Sequence, residues 1–378
     1  MPQEFQIITK PVGARCNLEC TYCYYVERDT PGPLVRAEAM SDEFLEKYVR
    51  QHLEAATGQK VQFLWHGGEP TLAGIDFYRK AVEIQKKHAK PGMEITNGIQ
   101  TNGTLINNEW CEFFKKESFK VAVSLDGPPR LHDYFRVSDY RIPTHSKTIR
   151  GFRLLKEWGI VPEILCVVNA MNVEHPLEVY IYFREIGART LTFYPLVERK
   201  PGPLGPVSYQ SVPARDFGRF LCAVFDEWKG KDIGKIEVRV FEEAARTAMN
   251  QEHTQCIFKK RCGDVPVVEK NGNFYSCDYF VHQEHLVGNI RDRHLGELLE
   301  HPDQKAFGES KEATLPGYCR ECDVLDMCNG ECPKNRLIST PDGEPGLNYL
   351  CAGYKMFFRY CKPFMVAMAE QQKQHSQQ

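Results

Sequence analysis

Residues 16–25 read CNLECTYCYY and place three cysteines, Cys16, Cys20 and Cys23, at C-x3-C-x2-C spacing; the next cysteine is Cys111. A structural zinc site closes with four ligands, and so does an electron-carrying iron-sulfur cluster. Three thiolates imply either a distant fourth ligand or a metal centre with one position open, the arrangement by which a catalytic metal admits a small molecule. The stretch follows FQIITKP (residues 5–11), an apolar run that reads as a strand. A loop at the C-terminal end of a parallel strand is where α/β barrels place their chemistry.

Outward from this loop, short runs rich in Val, Ile and Phe recur at residues 61–67, 94–101, 120–127, 163–169 and 190–197. Their composition predicts buried parallel strands. Between them lie amphipathic stretches. The first starts at Ser41, a capping residue, and carries Phe44, Leu45, Tyr48, Val49 and Leu53 at helical spacing. Others run over 75–88, 108–116, 145–158, 173–186 and 213–228. Six βα units predict an α/β fold, a partial (β/α)6 TIM-like barrel over residues 1–235. KGKDIGKIE breaks that rhythm, so a boundary is expected near 230–250, with a second, Cys-rich domain over 236–378 ending in a C-terminal helix. ERKPGPLGPVSY (198–209) reads as a loop within the first domain, and the tail EQQKQHSQQ as frayed.

With 48 Lys+Arg against 50 Asp+Glu, the net charge of −2 gives no electrostatic case for nucleic acid or an anionic membrane. No export signal or spanning segment is evident, and a cytoplasmic monomer is expected. In that setting 15 cysteines are not a disulfide framework. Three lie in 16–23 and eight between 256 and 351, a clustering that suits metal or cluster ligation. Cys111, Cys166, Cys222 and Cys361 stand apart and read as small buried apolar residues.

CNLECTYC resembles the signature of the radical S-adenosylmethionine (SAM) superfamily, in which SAM chelates the open iron of a four-iron cluster. HGGEPTL (66–72) is similar to the motif whose backbone meets the SAM amino group. QTNGTL (100–105), SLDGP (124–128) and HDYFR (132–136) follow in the order of that family. Alone, GGEP is a turn and SLDGP a strand end; their succession on consecutive βα units carries the resemblance. It implies SAM contacts from Tyr22, Gly67, Gly68, Glu69, Asn102, Ser124, Asp126, Arg136 and Val197, with Tyr25 and His66 toward a peptide substrate.

The spacing C-x5-C, then Cys277, then C-x2-C-x5-C-x3-C and Cys351 resembles the SPASM domain, although paired C-x2-C also suits zinc. The resemblance implies two auxiliary four-iron clusters, one on Cys256, Cys262, Cys277 and Cys332, the other on Cys319, Cys322, Cys328 and Cys351. With the first site, three clusters and SAM are the expected cofactors. SCDYFVHQEHLVGNI (276–290) and LNYLCAGYKMFF (347–358) are similar to the anaerobic sulfatase-maturating enzymes. Those oxidise a Cys or Ser in a C/S-x-A/P-x-R motif of a sulfatase, taken as an unfolded or nascent chain, to Cα-formylglycine. A donor such as flavodoxin or ferredoxin supplies their electrons, and Asp278 matches the family's proposed base. Two other readings compete: a SPASM maturase that builds thioether or carbon–carbon crosslinks in a ribosomal peptide, and a non-catalytic iron-sulfur or zinc protein.

Overall fold

The structure, a computed structural model, describes residues 5–25, 39–200 and 207–376. Strands that form the main ladders are numbered here in chain order. These are β1 (Ile7–Lys10), β2 (Lys60–Trp65), β3 (Glu94–Thr101), β4 (Lys120–Ser124), β5 (Glu163–Val168), β6 (Thr190–Pro195), β7 (Glu237–Val238), β8 (Val267–Glu269), β9 (Asn273–Tyr275) and β10 (Leu286–Asn289). The first six coincide with the expected strands, each followed by its expected helix. Asp42–Ala55 is capped as its sequence predicts, the Ser41 hydroxyl accepting from the Phe44 N–H at 3.3 Å.

The chain divides into two compact units. The first holds Met1–Ser124, Phe135–Pro162 and Gly263–Gly308. Its sheet runs β10-β9-β8-β1-β2-β3-β4, with β1 to β4 parallel and β8 parallel to β1 on the other side. The register Lys10↔Glu269 brings a late segment of the chain against the C-terminal end of the first strand. β9 and β10 turn back antiparallel, and the turn after β9 carries Cys277 and Asp278. Phe63, Trp65, Tyr48 and Tyr78 fill the space between sheet and helices as a run of edge-to-face and stacked rings. Each such buried aromatic adds about 1.5–3 kcal/mol, so the strand ends that bear the motifs stand on a rigid base.

The second unit holds Leu125–Tyr134, Glu163–Cys262 and Glu309–Gln378. β5, β6 and β7 are parallel. KGKDIGKIE is therefore not a break in the βα rhythm: its end supplies β7, and the helix Arg239–Ala248 follows. The loop expected over 198–209 is pinched by an antiparallel bridge between Arg199 and Val207, and its residues 201–206 lie outside the described residues. The tail corrects a second expectation. Helix Cys351–Ser376 takes in residues 370–376 of the Gln-rich stretch, whose last two residues, 377–378, lie outside the described residues. Phe357 and Phe358 are fully buried in that helix, against Phe225, Phe241 and Phe258. Extending a helix that is already nucleated costs little. Cys111, Cys166 and Cys361 are buried as expected, while Cys222 is half-buried. Among the described residues no helix is long and apolar enough to cross a membrane.

Candidate functional site

The three-cysteine loop leaves β1 and is stitched to its surroundings by backbone. The Gly68 N–H donates to the Gly13 carbonyl at 2.9 Å and the Glu69 N–H to the Arg15 carbonyl at 2.8 Å. The second glycine is required by contact, because a Cβ at Gly68 would lie 2.1 Å from the Arg15 oxygen. On the other flank Glu19 and Thr21 N–H groups donate to the carbonyls of Val137 and Phe135. The Glu69 carboxylate is fully buried and accepts from Thr71 N–H and Oγ1, Thr101 Oγ1 and the Asn102 N–H. Its side chain therefore braces the strand ends.

Leu18 N–H and Asn102 Nδ2 point at Cys16 Sγ, at 3.4 and 3.8 Å. Burial first, then the Glu69 carboxylate and the neighbouring Cys20 and Cys23, push the Cys16 thiol up to about 12. Three thiols sharing one another's field, with N–H donors aimed at sulfur, suit thiolates neutralised by a metal centre. Arg136 Nη1 donates to the Tyr22 hydroxyl at 2.8 Å, so two of the expected SAM residues are joined directly. Ser124, at the end of β4, is buried. Asp126 and Val197 lie in the second unit. There Asp126 accepts from the Val167 N–H at 3.0 Å, and the Val197 carbonyl accepts from Lys334 Nζ at 2.6 Å.

Around Asp278 stand the expected Tyr25 and His66 together with Lys10, Tyr24 and Glu269, which no motif singles out. Lys10, the last residue of β1, is 0% exposed and pairs with the Asp278 carboxylate, with Glu269 at 3.9 Å. Its ammonium also sits 3.6 Å over the centre of the Tyr25 ring, whose hydroxyl donates to Glu269. Tyr24, next to Cys23, donates to Asp278 Oδ2 at 2.6 Å. Burial would raise the Asp278 pKa, but the charge of Lys10 and the hydrogen bonds from Lys10 and Tyr24 outweigh it and hold the carboxyl at about 2. His66 is held below its ordinary value by burial, hence neutral; its side chain bonds Gln100, while the buried Nδ1 has no hydrogen-bond partner among the described residues. The signal available was a lysine inside an apolar strand run, a position where an unpaired charge is not tolerated.

In the second unit Cys319, Cys322, Cys328 and Cys351 line one cavity of about 320 Å³, counting the open space at its mouth, with Val324, Leu325 and Lys355. Burial pushes Cys351 up to about 11 and Cys328 higher still. Four thiols in an apolar cavity fit a fully ligated cluster. Cys256 and Cys262 precede the segment that carries Cys277 in the first unit, and Cys332 is buried in the second.

Residues 11–180 match the radical SAM superfamily, and residues 256–323 match SPASM, an iron-sulfur cluster-binding domain. The serine-type anaerobic sulfatase-maturating enzyme of Bacteroides thetaiotaomicron is 42% identical, over 97% of this chain and 91% of that protein. The cysteine-type enzyme of Clostridium perfringens is 34% identical, over 96% and 98%. The solved structure of anSMEcpe with bound AdoMet and the Kp18Cys peptide superposes with a TM-score of 0.88 at 33% identity, over 97% of this chain and 99% of that one. Streptococcus suis SuiB, 14% identical with its precursor peptide SuiA bound, shares the fold at a TM-score of 0.64. A radical SAM domain carrying a SPASM domain, with this likeness along nearly its whole length, makes the chain a member of the anaerobic sulfatase-maturating enzymes.

Proposed function

We propose that this chain oxidises a Cys or Ser in a C/S-x-A/P-x-R motif of a sulfatase to Cα-formylglycine. The observation that carries the reading is the 2.6 Å hydrogen bond from Tyr24 to Asp278, which ties the three-cysteine loop to a buried, ionised carboxylate. Cys16, Cys20 and Cys23 would hold the cluster that, with SAM, would supply the radical chemistry at the target Cβ, and the two C-terminal cysteine sets would hold the clusters that would take up the remaining electron.

The residues divide the remaining work. Asp278 takes the proton of the target hydroxyl or thiol. A carboxylate at about 2 is a weak base for a resting thiol at about 8.5. Loss of the electron from the adjacent carbon radical is what acidifies that group, so proton and electron leave together. Lys10 fixes the Asp278 carboxylate, and Tyr24 bonds its second oxygen. Neutral His66 keeps Nδ1 for a polar group of the peptide. Tyr22 and Arg136 meet the carboxylate end of SAM, for which a guanidinium fork is well shaped. The Gly67–Gly68–Glu69 backbone and Asn102, Ser124, Asp126 and Val197 complete its contacts. The substrate is an unfolded or nascent sulfatase, the electron donor is of flavodoxin or ferredoxin type, and the enzyme acts as a cytoplasmic monomer.

The test is an anaerobic incubation of the reconstituted protein with SAM, dithionite and short peptides carrying C-x-P-x-R or S-x-P-x-R. Mass spectrometry of a Ser peptide that reacts shows the loss of two hydrogens. A Cys peptide loses two hydrogens and exchanges sulfur for oxygen. Formation of 5′-deoxyadenosine with both peptides unchanged would overturn the reading in favour of another peptide maturase.

A further inference from the structure

Arg336 follows Cys332 by one short turn, Pro333–Asn335, inside the second unit. Its guanidinium passes Gly330, where a Cβ would stand 2.7 Å from Nη2; φ there is +71°, so glycine is favoured twice over. Nη1 donates to the Lys311 carbonyl at 2.8 Å and to Thr314 Oγ1 at 3.0 Å, and Nε reaches the Gly330 carbonyl at 3.4 Å. Nη2 is buried and has no hydrogen-bond partner among the described residues. A buried, unsatisfied donor on a permanent cation is costly, and native structures keep one where a ligand group completes it.

Gly330, whose carbonyl takes Nε, lines the cavity of the second cysteine set. Nη1 bonds the carbonyl of Lys311, whose ammonium holds the Cys256 carbonyl in the loop of the first. Burial lowers the Arg336 pKa, and the neighbouring cysteines Cys319, Cys262, Cys332 and Cys328 oppose that. Two of them, Cys262 and Cys332, belong to the first auxiliary set, and two, Cys319 and Cys328, to the second. Two other cations in this unit, buried Lys311 and half-buried Lys355, are one-sided. Lys311, 0% exposed, donates to the carbonyls of Cys256 and Ile257 in the first set's loop. Lys355 lines the cavity of the second set and lies 4.6 Å over the Tyr318 ring.

We propose that Arg336 is a shared positioning residue for both auxiliary clusters. Its free Nη2–H donates to cluster-bound sulfur, and its charge favours the reduced, more negative form of each. Net charge and hydrogen bonds to sulfur are what set cluster potentials, so one guanidinium raises both potentials together. The inference rests on the assignment of these eight cysteines to two clusters.

The test is an EPR-monitored redox titration of the anaerobically reconstituted holoprotein and its Arg336→Met and Arg336→Lys variants. Iron analysis of the unmodified protein tests the cluster assignment separately, since three four-iron clusters require about twelve irons per chain. In Arg336→Met both auxiliary couples are expected to shift toward the oxidised form by tenfold or more, about 59 mV for one electron. Arg336→Lys is expected to hold both couples within threefold of the original, and the N-terminal cluster is expected to keep its SAM-dependent spectrum in both variants. Iron-replete Arg336→Met with either couple shifted less than twofold would overturn the proposal. If Arg336→Met loses iron, Arg336→Lys decides: full iron with unmoved couples supports the charge role. A tenfold shift, or iron loss, in the Lys variant refutes it.

Discussion

Asp278→Asn is expected to leave SAM cleavage intact and to lower peptide oxidation by about 10²–10⁴, the range a positioned general base contributes. Asparagine keeps the shape of the carboxylate and can still accept from Lys10, so the turn after β9 stays in place. It cannot take a proton at neutral pH. The substrate radical would form and have no outlet for its proton, and uncoupled 5′-deoxyadenosine would accumulate. The pH dependence follows from the sign of the shift. The folded pKa of about 2 lies below the ordinary 3.8, so the carboxylate's contribution to stability is complete above about pH 4 and is lost as pH falls toward 2. Across the working range Asp278 is ionised, and the pH–rate profile of the unmodified enzyme shows no limb from this group above about pH 4. Formylglycine formation at an undiminished rate in Asp278→Asn would remove the residue from the chemistry.

Lys10→Met is expected to destabilise the fold by about 3–5 kcal/mol, the cost of leaving one member of a buried ion pair without its partner. Lys10 is wholly enclosed and compensates Asp278 directly, with Glu269 as a second, longer-range partner. Without it the carboxylate is driven toward its protonated form, and peptide oxidation falls along with stability. The double variant Lys10→Met/Asp278→Asn separates this from a packing effect. It is expected to be more stable than the sum of the single changes implies, by about 1–3 kcal/mol. Thermal midpoints of the four proteins measure that coupling, and strict additivity would show that the pair does not operate as one.

Much of this arrangement is legible in the chain because parallel strands are short, apolar and regularly spaced. β1 to β6 and their helices stand where the apolar runs place them, and the motifs fall at strand ends as the βα logic requires. What escaped is what depends on pairing distant in sequence. β8 and β9 are three residues each, too short to show a period, and only the register Lys10↔Glu269 reveals that they extend the sheet beside β1. That pairing is why Lys10 is buried and why Asp278 meets it. β7, two residues long, is invisible for the same reason. Glu69 was recognisable as part of a motif, but its role as a four-bond brace between Thr71, Thr101 and Asn102 is a tertiary fact. Arg336 carries no local signal, since a single arginine among cysteines reads as a solvated charge until its neighbours are placed.

The most direct measurement uses a substrate peptide deuterated at the Cβ of its target residue, incubated anaerobically with the reconstituted protein, SAM and dithionite. Mass spectrometry of the nucleoside and the peptide then follows the label. The account predicts one deuterium in 5′-deoxyadenosine for each peptide that acquires a formyl group. Unlabelled 5′-deoxyadenosine alongside an oxidised peptide, or a labelled nucleoside alongside a crosslinked one, would contradict it.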